Sequence, residues 1–128
     1  MRSKASSKAS RLSDKMRAKK PDLFIDGDGI YLRHLMEKDL KGRWYDWLND
    51  SVVTRYQNKG IFPNTLQKQR KYFESLQGSS GEVVLAIVEK RTEKHIGNVG
   101  LHEIEWVHRH ATLCIVIGER VFWGTGYG

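Results

Sequence analysis

The sequence predicts an α+β fold in which a mixed, mainly antiparallel sheet is flanked by helices. Three observations lead to this expectation. A strand pattern is followed by two helical patterns, three apolar segments joined by short polar connections come next, and a glycine-rich string follows the last of them. Strands that succeed each other at such short intervals pair antiparallel, because parallel pairing requires a long crossover connection.

A strand and a helix are predicted at the start of the body. After an Asp- and Gly-rich turn, the segment 30–35 (IYLRHL) alternates between two faces in the manner of a strand. The segment 36–50 then places its large apolar residues on one helical face, at i, i+4, i+7 and i+8. These residues are Leu40, Trp44, Trp47 and Leu48. Because a tryptophan on an amphipathic face mainly supplies buried area, we expect both indoles in the core.

A second helix and three strands complete the pattern. The helix is expected to begin after Pro63, with Asn64 or Thr65 as its N-cap, and to end at the Gly- and Ser-rich stretch 78–81. Its expected apolar face carries Leu66, Phe73 and Leu76. The strands are expected at 82–90, 95–104 and 111–117. The first of them is apolar on both faces, which predicts that it is covered on both sides.

The positive charge of the chain belongs to its first residues. Residues 1–20 contain eight Lys or Arg side chains against Asp14 alone, which accounts for the whole formal net charge of +7. Such a composition predicts a disordered basic tail at 1–22 in front of one folded domain at 23–128. A basic arm that binds nucleic acid or anionic lipid, or a targeting peptide, are the alternatives for this tail.

Several classes of protein are disfavoured by composition. Cys114 is the single cysteine, so an internal disulfide and a cysteine-based zinc site are excluded, and a cytoplasmic location is the default expectation. The five His residues lack the spacing of metal ligands, so no metal site is expected. No apolar run approaches the roughly 18 residues that a membrane span requires. We therefore expect neither a metal nor a membrane.

The glycine-rich string at 123–128 (WGTGYG) is the sharpest chemical signal. Alternate glycines after a strand let backbone N–H groups approach a phosphate without interference from a Cβ atom. A dinucleotide-binding loop would instead require a parallel βαβ unit, which the predicted meander does not provide. An ordinary glycine turn is the second alternative.

Four strings stand out in order along the body: IYLRHLMEKD at 30–39, WLNDSVVTRY at 47–56, HIGNVGLHEIEW at 95–106 and ATLCIVIGERVFWGTGYG at 111–128. Together with the order of the elements, they resemble the GNAT superfamily of N-acetyltransferases, and within it the branch of ribosomal-protein N-terminal acetyltransferases. This resemblance implies a GNAT-like fold, acetyl-CoA as co-substrate and transfer of an acetyl group to a primary amine. A protein N-terminus, an amino sugar or a polyamine would serve as the acceptor.

The resemblance also assigns residues to the acetyl-CoA site. The pantetheine arm would lie along the backbone of Ile115, Val116 and Ile117. The pyrophosphate would bind to Trp123, Gly124, Thr125, Gly126, Tyr127 and Gly128. In the family a further helix, further strands and a tyrosine that often protonates the leaving thiolate follow this loop. We therefore expect the domain to be truncated at the pyrophosphate loop and the chain to be inactive by itself.

Catalysis in this family requires acceptance of a proton from the amine and stabilisation of an oxyanion. Candidate bases near the connection of the last two strands are Glu103, Glu105, His102 and His110, of which Glu103 is preferred. Because successive strand residues face opposite sides, His102 and Glu103 are not both expected at the reaction centre. Glutamate often occupies the position of Thr112 in this branch, so one base of the family is missing here.

The expected substrate contacts lie between the two helices, where Tyr56 and Gln57 would touch the amine. Two other functions remain open at this point. One is a non-catalytic GNAT-like module that binds acyl-CoA or a protein, and the other is a nucleic-acid-associated protein that uses its basic tail. The neutral body argues against nucleic acid, which normally binds a basic folded surface. An exposed sheet edge would favour a homo-oligomer.

Overall fold

The computed structural model describes residues 22–55 and 63–128. Five strands form one sheet in the order β1-β2-β3-β4-β5. They are β1 (Leu23–Asp26), β2 (Ile30–His34), β3 (Val83–Glu89), β4 (Lys94–Glu105) and β5 (His110–Ile117). The helices are α1 (Trp44–Leu48) and α2 (Leu66–Leu76), with 3-10 helices at Glu37–Lys41 and Arg120–Phe122. The expectation of a disordered tail at 1–22 lies outside the described residues, apart from Asp22.

All four strand pairings in the described ranges are antiparallel, whereas the sequence led us to expect a mixed sheet. The strand β1 was not predicted. It has only four residues, two of which, Phe24 and Ile25, are largely exposed, so no alternation marks it. It is joined to β2 by a tight turn in which Gly29 has a φ of 80°, a conformation that favours glycine.

The single helix expected over 36–50 is two short helices. Gly42 lies between them with an extended backbone (φ −94°, ψ −152°), because glycine is a weak helix former and interrupts the pattern here. The expected burial is nevertheless confirmed, since Leu40, Trp44 and Trp47 are all buried. The helical spacing thus predicted the buried face correctly although the backbone between its residues is not continuous helix.

The helix α2 begins as predicted, because the Thr65 Oγ1 atom accepts a hydrogen bond of 3.1 Å from the backbone N–H of Lys68. Phe73 and Leu76 pack against the core, also as predicted. Leu66 differs, since 59% of it is exposed. It occupies the first position of the helix, and the stripe that faces the core continues instead with the buried Gln69.

The last three strands form the predicted meander, with two irregularities. The register between β3 and β4 shifts after Ile87, so that Ile96 is an extra residue on β4. The register between β4 and β5 shifts between His102 and Glu105, where Glu103 has a φ of 52°. A bulge of this kind redirects the side chains that follow it.

The core lies on one face of the sheet, beneath the helices. Its buried cluster consists of Leu35, Leu40, Trp44, Trp47, Val53 and Ala86. The opposite face exposes apolar side chains that stand side by side on neighbouring strands, with Val83 opposite Leu101 and Leu101 opposite Leu113. The cover expected on both sides of β3 is therefore present only near its C-terminal end, where Ala86, Ile87 and Val88 are buried.

A buried ion pair joins the sheet to the first 3-10 helix. The Arg33 guanidinium donates two hydrogen bonds of 2.8 Å to the two carboxylate oxygens of Asp39. Asp39 also accepts a 2.8 Å hydrogen bond from the backbone N–H of Met36. Burial by itself would raise the pKa of Asp39, but these hydrogen bonds outweigh it and the pKa is lowered. The carboxylate is therefore charged and fully partnered inside the protein.

His95 lies beside this ion pair. Its Nδ1 atom is 3.6 Å from the Asp39 carboxylate, and its ring contacts the edge of Trp47 at a centroid distance of 4.9 Å. Burial lowers the pKa of His95 and outweighs the opposing effect of the Asp39 charge. The native protein therefore holds this imidazole in its neutral form.

Asp39→Asn should destabilise the fold strongly. The substitution leaves the buried Arg33 charge without its counter-ion, and removing one member of a buried pair costs about 3–5 kcal/mol in the free energy of unfolding. Glu37→Gln is the matched control on the same 3-10 helix, because Glu37 pairs with Arg70 at the exposed surface and surface pairs contribute little. Urea denaturation measures the free energy of unfolding of both variants. Equal losses would contradict the stabilising role of the buried pair of Arg33 and Asp39.

The stability of the protein should fall as the pH decreases from about 7 to about 5. An unfolded histidine takes up a proton near pH 6.5, whereas native His95 with its lowered pKa does not, so protonation favours the unfolded chain. His95→Gln should flatten this part of the profile of unfolding free energy against pH. His108→Gln, which removes an exposed imidazole, should leave it steep, and an unchanged slope in His95→Gln would refute the prediction.

Candidate functional site

An open groove of about 700 Å³ runs along the outer edge of β5 and reaches the glycine-rich string. Within the described residues no strand pairs with this edge of β5. The walls of the groove are formed by Val52, Val53, Arg55, Leu113–Ile117, Phe122, Trp123, Gly124 and Gly128. Its size falls within the range of roughly 300–1,000 Å³ that is typical of small-molecule sites.

The glycine loop, which we define as residues 123–128, has the backbone that its composition predicts. Gly124 and Gly126 have φ angles of 75° and 92°, in the left-handed region that side chains other than hydrogen disfavour. A Cβ atom at either position would meet nothing within 4 Å. The backbone conformation, and not lack of space, therefore requires glycine at these two positions.

Two hydrogen bonds hold the start of the glycine loop to the residues before it. The indole Nε1–H of Trp123 donates to the carbonyl of Ile117 at 2.5 Å. The hydroxyl of Thr125 donates to the carbonyl of Phe122, also at 2.5 Å. Trp123 thus has a structural reason to stand at the first position of the loop, because its indole reaches back to the end of β5.

Tyr127 fastens the other end of the loop to β3. Its phenol donates a 3.0 Å hydrogen bond to the Glu89 carboxylate, and its ring lies 5.9 Å from that of Phe122. Glu89 is 2% exposed and also accepts a 2.7 Å hydrogen bond from Thr92. The hydrogen bond to Glu89 raises the pKa of Tyr127, so the phenol remains a donor. The buried carboxylate therefore anchors the loop.

Helix α1 positions the residues between β5 and the loop. A Cβ atom on Gly118 would overlap the indole of Trp47, so the indole packs directly on the glycine backbone. The Trp47 indole N–H donates to Glu119 at 3.2 Å, and Glu119 also pairs with Arg43. Because Trp47 is buried against the sheet, the chain leaves β5 in a direction that this helix determines.

A second ion pair joins α1 to the same region. The Arg120 guanidinium donates hydrogen bonds of 2.7 and 3.2 Å to Oδ2 of Asp50, which lies just after α1. The hydrogen bond from Arg120 lowers the pKa of Asp50. Both charged residues that follow Gly118 are therefore engaged with α1 and its C-terminal end.

The residues assigned to acetyl-CoA from the sequence come together in one place. Ile115, Val116 and Ile117 line the groove with Trp123, Gly124 and Gly128, and Thr125, Gly126 and Tyr127 complete the loop between them. The two residues expected to contact the amine, Tyr56 and Gln57, lie outside the described residues. Their proposed role stays a prediction.

Glu103, the preferred base, lies apart from the groove. It occupies the β4 bulge with a positive φ, is exposed, and is not among the described residues that line the groove. His102 is half-buried, and its Nδ1 atom lies 3.1 Å from the Glu82 carboxylate. The two residues thus differ in burial, and the register shift of β4 against β5 begins at His102.

A smaller cavity of about 70 Å³ lies between the helices and the sheet. Its walls include the polar side chains of Thr54, Tyr72, Asn98, His102 and Cys114. Burial, together with the charge of Glu82, raises the pKa of Tyr72 to about 12, so its phenol is protonated at neutral pH. The sequence singled out His102 but not Tyr72 and Glu82, because the fold brings these residues together from distant positions in the chain.

Two negative findings apply to the ranges 22–55 and 63–128. They contain no cluster of three or more His, Cys, Asp or Glu residues that could hold a metal ion. None of the helices found there combines the length and apolar character needed to cross a membrane.

Comparisons with known proteins add a family and a set of similar folds. Residues 30–128 match the family described as Acetyltransferase (GNAT) domain. No curated protein matches the sequence significantly. Among solved structures, the spermidine N-acetyltransferase from Vibrio cholerae in complex with CoA and spermine is similar with a TM-score of 0.68 and 20% identity. The match covers 79% of this chain and 57% of that one.

Two further solved structures show the same fold. The GNAT-family acetyltransferase from Bacillus anthracis has a TM-score of 0.64 and 18% identity, over 82% of this chain and 58% of that chain. The microcin C7 self-immunity acetyltransferase in complex with acetyl-CoA and AMP has a TM-score of 0.64 and 20% identity, over 78% and 56%. This chain thus spans less than two thirds of the length of each of these three structures.

Gly118→Ala should destabilise the protein by about 1–3 kcal/mol, because its methyl group would overlap the Trp47 indole in a packed region. Gly78→Ala is the matched control, since a Cβ atom at that position meets nothing within 4 Å. Thermal denaturation followed by circular dichroism checks both. Similar melting temperatures for the two variants would show that the contact between Trp47 and Gly118 is not a constraint.

Proposed function

Because this chain belongs to the acetyltransferase (GNAT) domain family, we propose that it carries the acetyl-CoA site of an N-acetyltransferase that acetylates a primary amine. The observation that carries the proposal is the position of the glycine loop. The loop is separated from the end of β5 by five residues and reaches the groove along the free edge of that strand, and its glycines Gly124 and Gly126 adopt left-handed backbone conformations. A phosphate group would be held there by backbone N–H groups.

The charge of the groove supports this ligand. Among the described residues that line it, Arg55 carries the only charge, and the remaining walls are mostly apolar. A cationic and apolar groove suits a ligand that combines phosphates with an uncharged arm. The free backbone edge of Ile115, Val116 and Ile117 supplies hydrogen-bonding groups for the amides of such an arm.

The acceptor is proposed only as a primary amine: a protein N-terminus, an amino sugar or a polyamine. Tyr56 and Gln57 are proposed contacts for this amine, and Glu103 is the base that the sequence led us to prefer. A groove without described carboxylates is poorly suited to a polycation, so a polyamine would have to be bound by other residues. We further propose a cytoplasmic protein that associates with a second copy through an exposed edge of the sheet.

Binding of acetyl-CoA tests the cofactor part of the proposal. Acetyl-CoA should bind with one-to-one stoichiometry in isothermal titration calorimetry. The double variant Gly124→Ala/Gly126→Ala should bind at least about 10-fold more weakly, because each alanine strains the loop by roughly 1–2 kcal/mol. Gly78→Ala should bind like the wild type. Equal affinity in the double variant would place the phosphates elsewhere.

Turnover tests the reaction itself and separates it from a module that only binds. The full-length protein is mixed with acetyl-CoA and a panel of N-terminal peptides, amino sugars and polyamines, and release of the CoA thiol is followed. Amine-dependent thiol release supports the proposal. Tight binding of acetyl-CoA without release on any amine would identify a non-catalytic acyl-CoA-binding protein instead.

A further inference from the structure

His102 and Glu82 form a hydrogen-bonded pair between neighbouring strands. Glu82 directly precedes β3 and His102 lies on β4, next to the register pair formed by Val83 and Leu101. The Nδ1 atom of His102 is 3.1 Å from the Glu82 carboxylate. A carboxylate that holds one ring nitrogen of a histidine sets the orientation of the ring and leaves the second nitrogen for another partner.

The second nitrogen of His102 lies over the backbone of β4, at a glycine that faces the small cavity. A Cβ atom placed on Gly100 would lie 2.8 Å from Nε2, so this nitrogen stands over the Gly100 backbone. Gly100 pairs with Cys114 of β5, and His102 itself pairs with Thr112. The absence of a side chain at Gly100 therefore leaves room for the imidazole in the cavity that both residues line.

The cavity that His102 lines adjoins the groove. Val53, Cys114 and Val116 line both, so the two spaces share a wall of three residues. The cavity has a volume of about 70 Å³, which is enough for the end of an amine or for a few water molecules. A ligand that lies along β5 therefore passes next to the cavity that the imidazole lines.

We propose that His102 accepts the proton of the attacking amine through Nε2, and that Glu82 is the positioning residue that orients the ring. This assignment rests on the proposed acetyltransferase function and replaces Glu103 as the base. The two candidates differ in surroundings, since Glu103 is exposed on the bulge whereas His102 is half-buried and lines the cavity.

The proposed step conserves atoms and charge. The lone pair of the neutral amine attacks the carbonyl carbon of the acetyl thioester, and the new N–C bond forms as Nε2 takes one proton from that nitrogen. The C–S bond then breaks, and its electron pair leaves on the CoA sulfur. The imidazolium returns its proton to this thiolate, which leaves an N-acetylated amine, free CoA and a neutral His102.

The phenol that lines the same cavity does not compete for this role. Besides His102, the titratable groups in the lining are the phenol of Tyr72 and the thiol of Cys114. The phenol is protonated at neutral pH, because burial and the charge of Glu82 raise the pKa of Tyr72 to about 12. Tyr72 can therefore donate a hydrogen bond in this space but cannot accept the proton of the amine.

The experiment measures steady-state kinetics of the full-length protein and three variants over a range of pH. His102→Ala should lower kcat by about 10²–10⁴-fold, the usual contribution of a general base, with little change in KM for acetyl-CoA. Free imidazole added to His102→Ala should restore part of the lost rate, which a purely structural residue would not allow. Glu82→Gln should give a smaller loss of kcat without this rescue.

His108→Ala is the matched control. It removes an exposed imidazole whose Nδ1 atom also lies near a carboxylate, 3.9 Å from Glu105, and it should leave kcat and its pH profile unchanged. If His102→Ala does not fold, His102→Gln provides the second test. Its glutamine side chain retains a hydrogen-bonding group for Glu82 but no group that can accept the proton, so kcat should fall by about the same 10²–10⁴-fold.

The outcomes separate this inference from the proposed function. A wild-type protein that acetylates no amine overturns both. A wild type that is active, with His102 variants that keep its rate and pH profile, overturns only the role of His102. A loss of rate in Glu103→Gln that exceeds the loss in His102→Ala would return the role of base to Glu103.

Discussion

The packing of the Trp47 indole on the backbone of Gly118 is the contact on which the candidate site depends. It fixes the distance between α1 and the end of β5 and leaves no space for a side chain at position 118. The two residues that follow, Glu119 and Arg120, are both paired with α1 or its C-terminal end. The buried pair of Arg33 and Asp39 holds the 3-10 helix before α1 against β2. The position of α1, and through it the path of the chain from β5 into the glycine loop, therefore depends on contacts with a distant strand of the sheet.

The sheet divides the molecule into two different environments. One face carries the helices, the aromatic core and the small cavity with His102. The other face exposes apolar residues of β3, β4 and β5. The hydrogen bond between Tyr127 and Glu89 lies at the C-terminal end of β3, which is the buried end of that strand. The groove along β5 lies at the border of the two environments, so a ligand there would contact both backbone edges and apolar side chains.

The sequence predicted most elements, because the patterns that mark them are local. The helical spacing of apolar residues correctly predicted that Trp44 and Trp47 are buried, and the N-cap residue Thr65 correctly predicted where α2 begins. The pairing of Glu82 with His102 could not be predicted by counting residues outward from the turn between β3 and β4. Such a count places Glu82 opposite Leu101, whereas the extra residue Ile96 shifts the register by one and places it opposite His102. The glycine loop was predictable from composition, whereas its anchor on Glu89 depends on tertiary contacts that no local pattern records.

The order of the strands has a kinetic consequence. Each strand pairs with its neighbour in the chain, so every pairing except that of β2 with β3 closes a short loop at small entropic cost. The connection between β2 and β3 contains both helices. If contacts form in order of increasing sequence separation, β2 therefore pairs with β3 after the other strands have paired. The meander would then assemble first, and the residues after β5 would find their path only once α1 had docked. During folding, the ligand-binding end would therefore be the last part of the domain to acquire its final shape.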